Sequence, residues 1–135
     1  MASTKASLLY GMDKADNGGA TEFITRLLDA VSTIHKVHLM TTGPGSFAAH
    51  EALGAAYEAL DAGADSLAEA WMGCTKGSFQ FAGIDSTNYA AEVQKIYDYI
   101  EQNRLLIGTE SHIQNEVDAL LHQLATALFK LDRLA

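Results

Sequence analysis

The sequence predicts an all-α protein, a four-helix bundle, on three observations. Apolar residues recur at spacings of three and four in four separate stretches, the period of a helix with one buried face. The single proline, Pro44, stands in the turn signal Gly43-Pro44-Gly45 between two of these stretches, so no proline interrupts a helix from within. Of the 135 residues, 48% are hydrophobic, enough for one domain with a real core.

The first helix is expected from about Ala20 to Thr41, with Phe23, Leu27, Val31, Ile34 and His38 on its apolar stripe. His38 then points inward. Residues 1–19 ahead of it, where Lys5 and Lys14 offset Asp13 and Asp16, are expected to form a flexible, nearly neutral arm, leaving 20–135 as the bundle. Gly43-Pro44-Gly45 stops the first helix, and Ser46 is placed to cap the second. That second helix, Ser46 to about Met72, carries the heptad-like seam Leu53, Tyr57, Leu60, Ala64, Leu67 and Trp71. Beside the seam run His50, Gly54, Asp61, Asp65 and Glu69, within about 100° of arc at 3.6 residues per turn. Acids next to a core seam stand out, because a solvated face belongs opposite it.

A connection from Gly73 to Asp85 follows, with Phe79 and Phe81 as its apolar residues. The third helix is expected from about Ser86 to Leu106, on Tyr89, Val93, Ile96 and Ile100. Gly108 breaks it, Thr109 opens the fourth, and Ile113, Val117, Leu120, Leu124, Leu128 and Leu131 share one side of that last helix. Short connections between amphipathic helices make neighbours antiparallel.

A net charge of −8 argues against DNA, whose binding is dominated by phosphate neutralisation, and favours cations instead. No apolar run approaches the roughly 20 residues that cross a bilayer, and the first residues lack a signal-peptide core. Cys74 is the sole cysteine, so no intrachain disulfide forms and a reducing, cytoplasmic compartment is the simpler expectation. No second cysteine or nearby histidine accompanies it, which leaves it a structural or incidental thiol.

Two histidines and a carboxylate pair carry the chemistry. Pro44 lies midway between His38 and His50, so two antiparallel helices meeting at that turn hold both imidazoles at matching heights. Asp65 and Glu69 are four apart and share a helix face. Imidazole with carboxylate suits iron, manganese or zinc. Taken singly, a histidine on an apolar stripe is more often a hydrogen-bonded core residue, and an acid pair more often a solvated face. Together they read as a metal site, but not within one chain. His50 and Asp65 are fifteen residues apart on one helix, about 22 Å at 1.5 Å per residue. Two copies of the second helix, antiparallel about a twofold axis near residues 57 to 60, remove the gap and create two equivalent sites. Each site then combines His38 and His50 of one copy with Asp65 and Glu69 of the other. No glutamate is followed by a histidine three residues on, so the di-iron arrangement of ordinary bundles is not expected. His35 lies off the His38 stripe and reads as a surface or interface residue. Tyr57 and Trp71 fit the seam, and His112 with Glu116 offers a secondary metal or pore contact on the last helix.

From His38 to Gly73, through HLMTTGPGSFAAHEAL and AYEALDAGADSLAEAWMG, the chain resembles the Dps family, miniature members of the ferritin superfamily. The resemblance implies a ferritin-like four-helix bundle, with His38 and His50 at the family's two ferroxidase histidines and Asp65 and Glu69 at its Asp-x-x-x-Glu carboxylates. It implies twofold dimers within a hollow cage, usually of twelve subunits. Such cages oxidise ferrous iron with hydrogen peroxide, two electrons at a time, and store the ferric mineral inside. The chain departs from the family in four places. Gly54 replaces an aspartate one turn after the second histidine, and Leu39 replaces a tryptophan. The connection after the second helix is short, and no lysine-rich arm is present. The competing expectation, from another class, is a structural component, virion-associated in a phage, that kept the bundle and lost iron chemistry.

Overall fold

In the computed structural model, which describes residues 18–134, two helical hairpins follow one another along the chain. The first joins α1 (Gly18–Met40) to α2 (Phe47–Thr75). The second joins α3 (Tyr89–Asn103), through a 3₁₀ turn at Arg104–Ile107, to α4 (Ser111–Arg133). The division between the two compact units falls after residue 82. Among the described residues the protein is all-helical, as the periodicity predicts, and no helix is long and apolar enough to cross a membrane. The expected arm lies outside the described residues except for Gly18 and Gly19, which open α1.

In the first hairpin the core stripe of α1 starts at Ile24 rather than at Phe23, which stays exposed. Ile24, Leu27, Val31, Ile34 and His38 are then the inward residues, each three or four from the next. On α2 the seam drifts. Leu53, Tyr57 and Leu60 turn inward as expected, but the next contacts are Ala64 and Ala68, while Leu67 is left exposed. A seven-residue repeat falls about 20° behind a straight helix every two turns, so without a supercoil the buried line slides by one residue.

Ser46 corrects the capping expectation. Its backbone is already helical, and its hydroxyl donates backwards to the carbonyl of Gly43 at 2.6 Å. It closes the turn instead of capping the helix. Gly43 and Gly45, at φ of 94° and 79°, supply the left-handed positions that reverse the chain. α2 runs one turn past the expected end at Met72 and stops at Lys76, whose left-handed backbone donates to the carbonyl of Met72. Beyond it the chain folds back, setting Phe79 against Trp71 at 4.7 Å with a tilt of 37° and stacking Phe81 on Phe79 at 5.7 Å. Gly77 passes so close to the Trp71 ring that a Cβ there meets the indole.

In the second hairpin, α3 begins at Tyr89, three residues later than expected. Asp85 takes up the preceding turn, accepting from the Thr87 hydroxyl at 2.6 Å and the Thr87 N–H at 2.9 Å. Those bonds, the hydroxyl's first, hold the Asp85 carboxyl below its usual range. At the other end Gln114 holds the turn between the helices. Its amide donates to the carbonyls of Arg104 at 2.9 Å and Gly108 at 2.6 Å, while its oxygen accepts from the Arg104 Nε at 2.7 Å. Arg104 also donates to Asp118, which raises its already high pKa. The turn ends the third helix at Asn103 instead of Leu106, and α4 opens at Ser111 instead of Thr109. Val117 and Leu121 are buried on α4, while the expected Leu120 stays exposed.

Candidate metal centre

Where α1 ends and α2 begins, the Gly43–Gly45 turn lays two imidazoles against each other. The rings of His38 and His50 are 3.7 Å apart between centroids and tilted by 31°. Each donates from Nδ1 to a main-chain carbonyl beside the other. His38 bonds the carbonyl of His50 at 2.8 Å, and His50 bonds the carbonyls of His38 at 3.1 Å and Thr41 at 3.3 Å. A carbonyl oxygen only accepts, so both Nδ1 atoms carry a proton. In the neutral ring Nε2 is then the unprotonated nitrogen, and neither Nε2 bonds any described residue. His50 also serves α1, whose last carbonyls have no helical partners of their own. Its N–H reaches the carbonyl of His38, which also accepts from the Thr41 N–H at 3.2 Å, and that of Thr41 just past the helix.

Around this pair the sequence reading missed two features. Gly54 is the point of closest approach between α2 and the His38 ring. A Cβ there lies 3.2 Å from the His38 Cε1 and 3.4 Å from its Nδ1. His35, expected as a surface or interface residue, stacks on Tyr57 at 3.9 Å and 11°, and Tyr57 meets the edge of His38 at 5.5 Å. Three residues back along α1 and three forward along α2 from the His38–Gly54 contact lie His35 and Tyr57, so the antiparallel register contained the signal.

The carboxylates stand elsewhere. α2 is unbroken from Phe47 to Thr75, so Asp65 and Glu69 remain about 22 Å and 28 Å along it from His50. Both are exposed, and neither is in an ion pair among the described residues. Asp65 lines a groove of about 610 Å³ along α1 and α2, together with Ile24, Leu28, Glu58, Asp61 and Phe81. Among the described residues of one chain, no three His, Cys, Asp or Glu side chains gather as a metal-holding group. His112 and Glu116 are exposed on α4 and gather no third donor. One chain thus offers two prepared nitrogens at one end of the hairpin and two carboxylates further along it.

Residues 38–131 match a family of unknown function, DUF5856. The chain belongs to DUF5856. The match opens at His38 and takes in His50, Gly54, Asp65 and Glu69, so the whole candidate set lies inside the DUF5856 region. No curated protein and no solved structure matches the chain.

Proposed function

We propose that this protein assembles with copies of itself and binds ferrous iron at sites shared between subunits, for oxidation and storage. The observation that carries this reading is the paired donation of His38 and His50 to main-chain carbonyls. Metal-ligating histidines characteristically give their other ring N–H to a carbonyl or carboxylate, which fixes the tautomer and aims the free nitrogen. Both rings already meet that condition.

In this reading the fold is a ferritin-like four-helix bundle. Two copies pack α2 against α2 about a twofold axis near residues 57 to 60, bringing Asp65 and Glu69 of each copy to His38 and His50 of the other. Large apolar side chains left exposed, Phe47 and Leu106 among them, favour such further packing. By the Dps resemblance the dimers build a cage, usually of twelve, around a ferric mineral. Carboxylates stabilise ferric over ferrous iron, which favours oxidation in place, and zinc or manganese are the alternative occupants. The acidic chain has no attraction for DNA.

Anaerobic calorimetry with ferrous iron tests the reading, with Asp65→Ala beside the wild type. Saturable binding weakened in Asp65→Ala supports it, and absence of saturable binding in the wild type defeats it. The second reading, a structural or virion component without iron chemistry, is favoured by Gly54, which offers no carboxylate where the Dps family has one. It takes over if copies assemble and bind no metal.

A further inference from the structure

We infer that each site holds a single divalent cation of borderline softness, and that Gly54 sets that limit. The inference rests on the shared site proposed above and specifies its occupant. Its donors are two imidazole nitrogens and two carboxylates, a complete set for one four-coordinate ion. A pair of ions about 3.5–4 Å apart shares bridging groups and needs further ligands on each metal. One helical turn beyond His50, position 54 is where the same chain would add one.

That position is closed by the His38 ring. A Cβ at 54 comes within 3.2 Å of Cε1, tighter than most Cβ contacts, so the ring must give by a few tenths of an ångström. The ring has little room to yield. Its Nδ1–H is bonded at 2.8 Å to the carbonyl of His50, its face lies against the His50 ring, and Tyr57 meets its edge. Position 54 is therefore occupied by packing and cannot double as a ligand while His38 keeps this pose. No other acid on the same helix stands at that place: Glu51 is exposed and turned about 100° from His50, and Glu58 and Asp61 lie about 12 and 16 Å along α2 from it. With half of its donors imidazole, the site suits zinc, cobalt or ferrous iron over magnesium or calcium.

Cobalt(II) chloride is the probe, because four-coordinate cobalt with nitrogen donors has intense visible bands. Titration of the whole protein is expected to saturate at one cobalt per chain. Gly54→Ala removes no donor and favours the helical backbone, yet it presses a methyl group on the His38 ring. Its cobalt affinity is expected to fall on the order of tenfold, the effect of disturbing a ligand's supporting contacts, while circular dichroism keeps the helical signal. Saturation at two cobalt ions per chain, or unchanged affinity in Gly54→Ala, overturns the inference and leaves the shared metal site standing. No saturable cobalt binding by the wild type defeats both.

Discussion

His38 and His50 exchange hydrogen bonds across the α1–α2 turn, each Nδ1–H ending on the other residue's main-chain carbonyl, at 2.8 Å and 3.1 Å. Each ring thus ties the end of one helix to the start of the other. His50→Ala is therefore expected to affect two measurements at once. It removes the side-chain donor to the carbonyls of His38 and Thr41, the first of which keeps the Thr41 N–H, lowering stability in urea unfolding by about 1 kcal/mol, the net worth of one such bond. It also removes half of the nitrogen donors, so metal affinity falls far more than stability does. Equal and small effects on both would leave His50 a structural cap and nothing else.

Metal binding is expected to weaken in acid. Ligation at Nε2 requires the neutral ring, and protons compete for the same lone pair. Isothermal titrations in steps from pH 8 to pH 5 should show affinity falling as the pH is lowered. A flat profile would place the metal on the carboxylates alone.

The second hairpin depends on Gln114. Its side chain donates to two carbonyls and accepts from Arg104, joining the 3₁₀ turn to the first turns of α4. Gln114→Ala removes both donations and the contact with Arg104, and is expected to destabilise the hairpin by about 1–2 kcal/mol. Chemical denaturation reads this directly, and metal binding on the first hairpin should be untouched.

Asp85 makes a prediction whose sign is fixed by its partners. The Thr87 hydroxyl and N–H favour the carboxylate, so its folded pKa is depressed. The stabilisation is present above the unfolded-state pKa and is lost as pH falls through the lower folded value. Thr87→Val deletes the larger contribution and keeps the N–H. Carbon-detected NMR titration should then place the Asp85 carboxyl closer to an ordinary aspartate, and no movement would show that the hydroxyl bond is not formed in solution.

How far the sequence revealed all this differs by level. Helix count, order and the reversal at Gly43-Pro44-Gly45 were legible because a 3.6-residue apolar period and two left-handed glycines act locally. The ends of the helices were less so: Ser46 resembles a cap in sequence and serves as a turn residue, because its hydroxyl found the nearer Gly43 carbonyl. Leu67 reads as core and is not, since a heptad pattern on an unsupercoiled helix drifts out of register. At the site, the meeting of His38 and His50 followed from their symmetric placement about Pro44. The role of Gly54 did not, because a missing carboxylate and a space filled by a neighbouring ring look identical in one sequence. Only the 3.2 Å approach to His38 tells them apart.

The shared site itself is open to a test by mixing. If each site takes its histidines from one copy and its acids from another, a double variant His38→Ala, His50→Ala and a double variant Asp65→Ala, Glu69→Ala are each expected to lose tight binding. Unfolded together and refolded as a mixture, they form dimers in which one of the two sites receives intact histidines from one chain and intact acids from the other. Random pairing of equal amounts makes half the dimers mixed, so about a quarter of the wild-type number of sites should return, in a twofold assembly with two equivalent sites. Cobalt absorbance counts them. A chain that binds metal by itself would recover nothing on mixing, since no single polypeptide in the mixture carries the full donor set, and refolded samples of each variant alone fix that baseline.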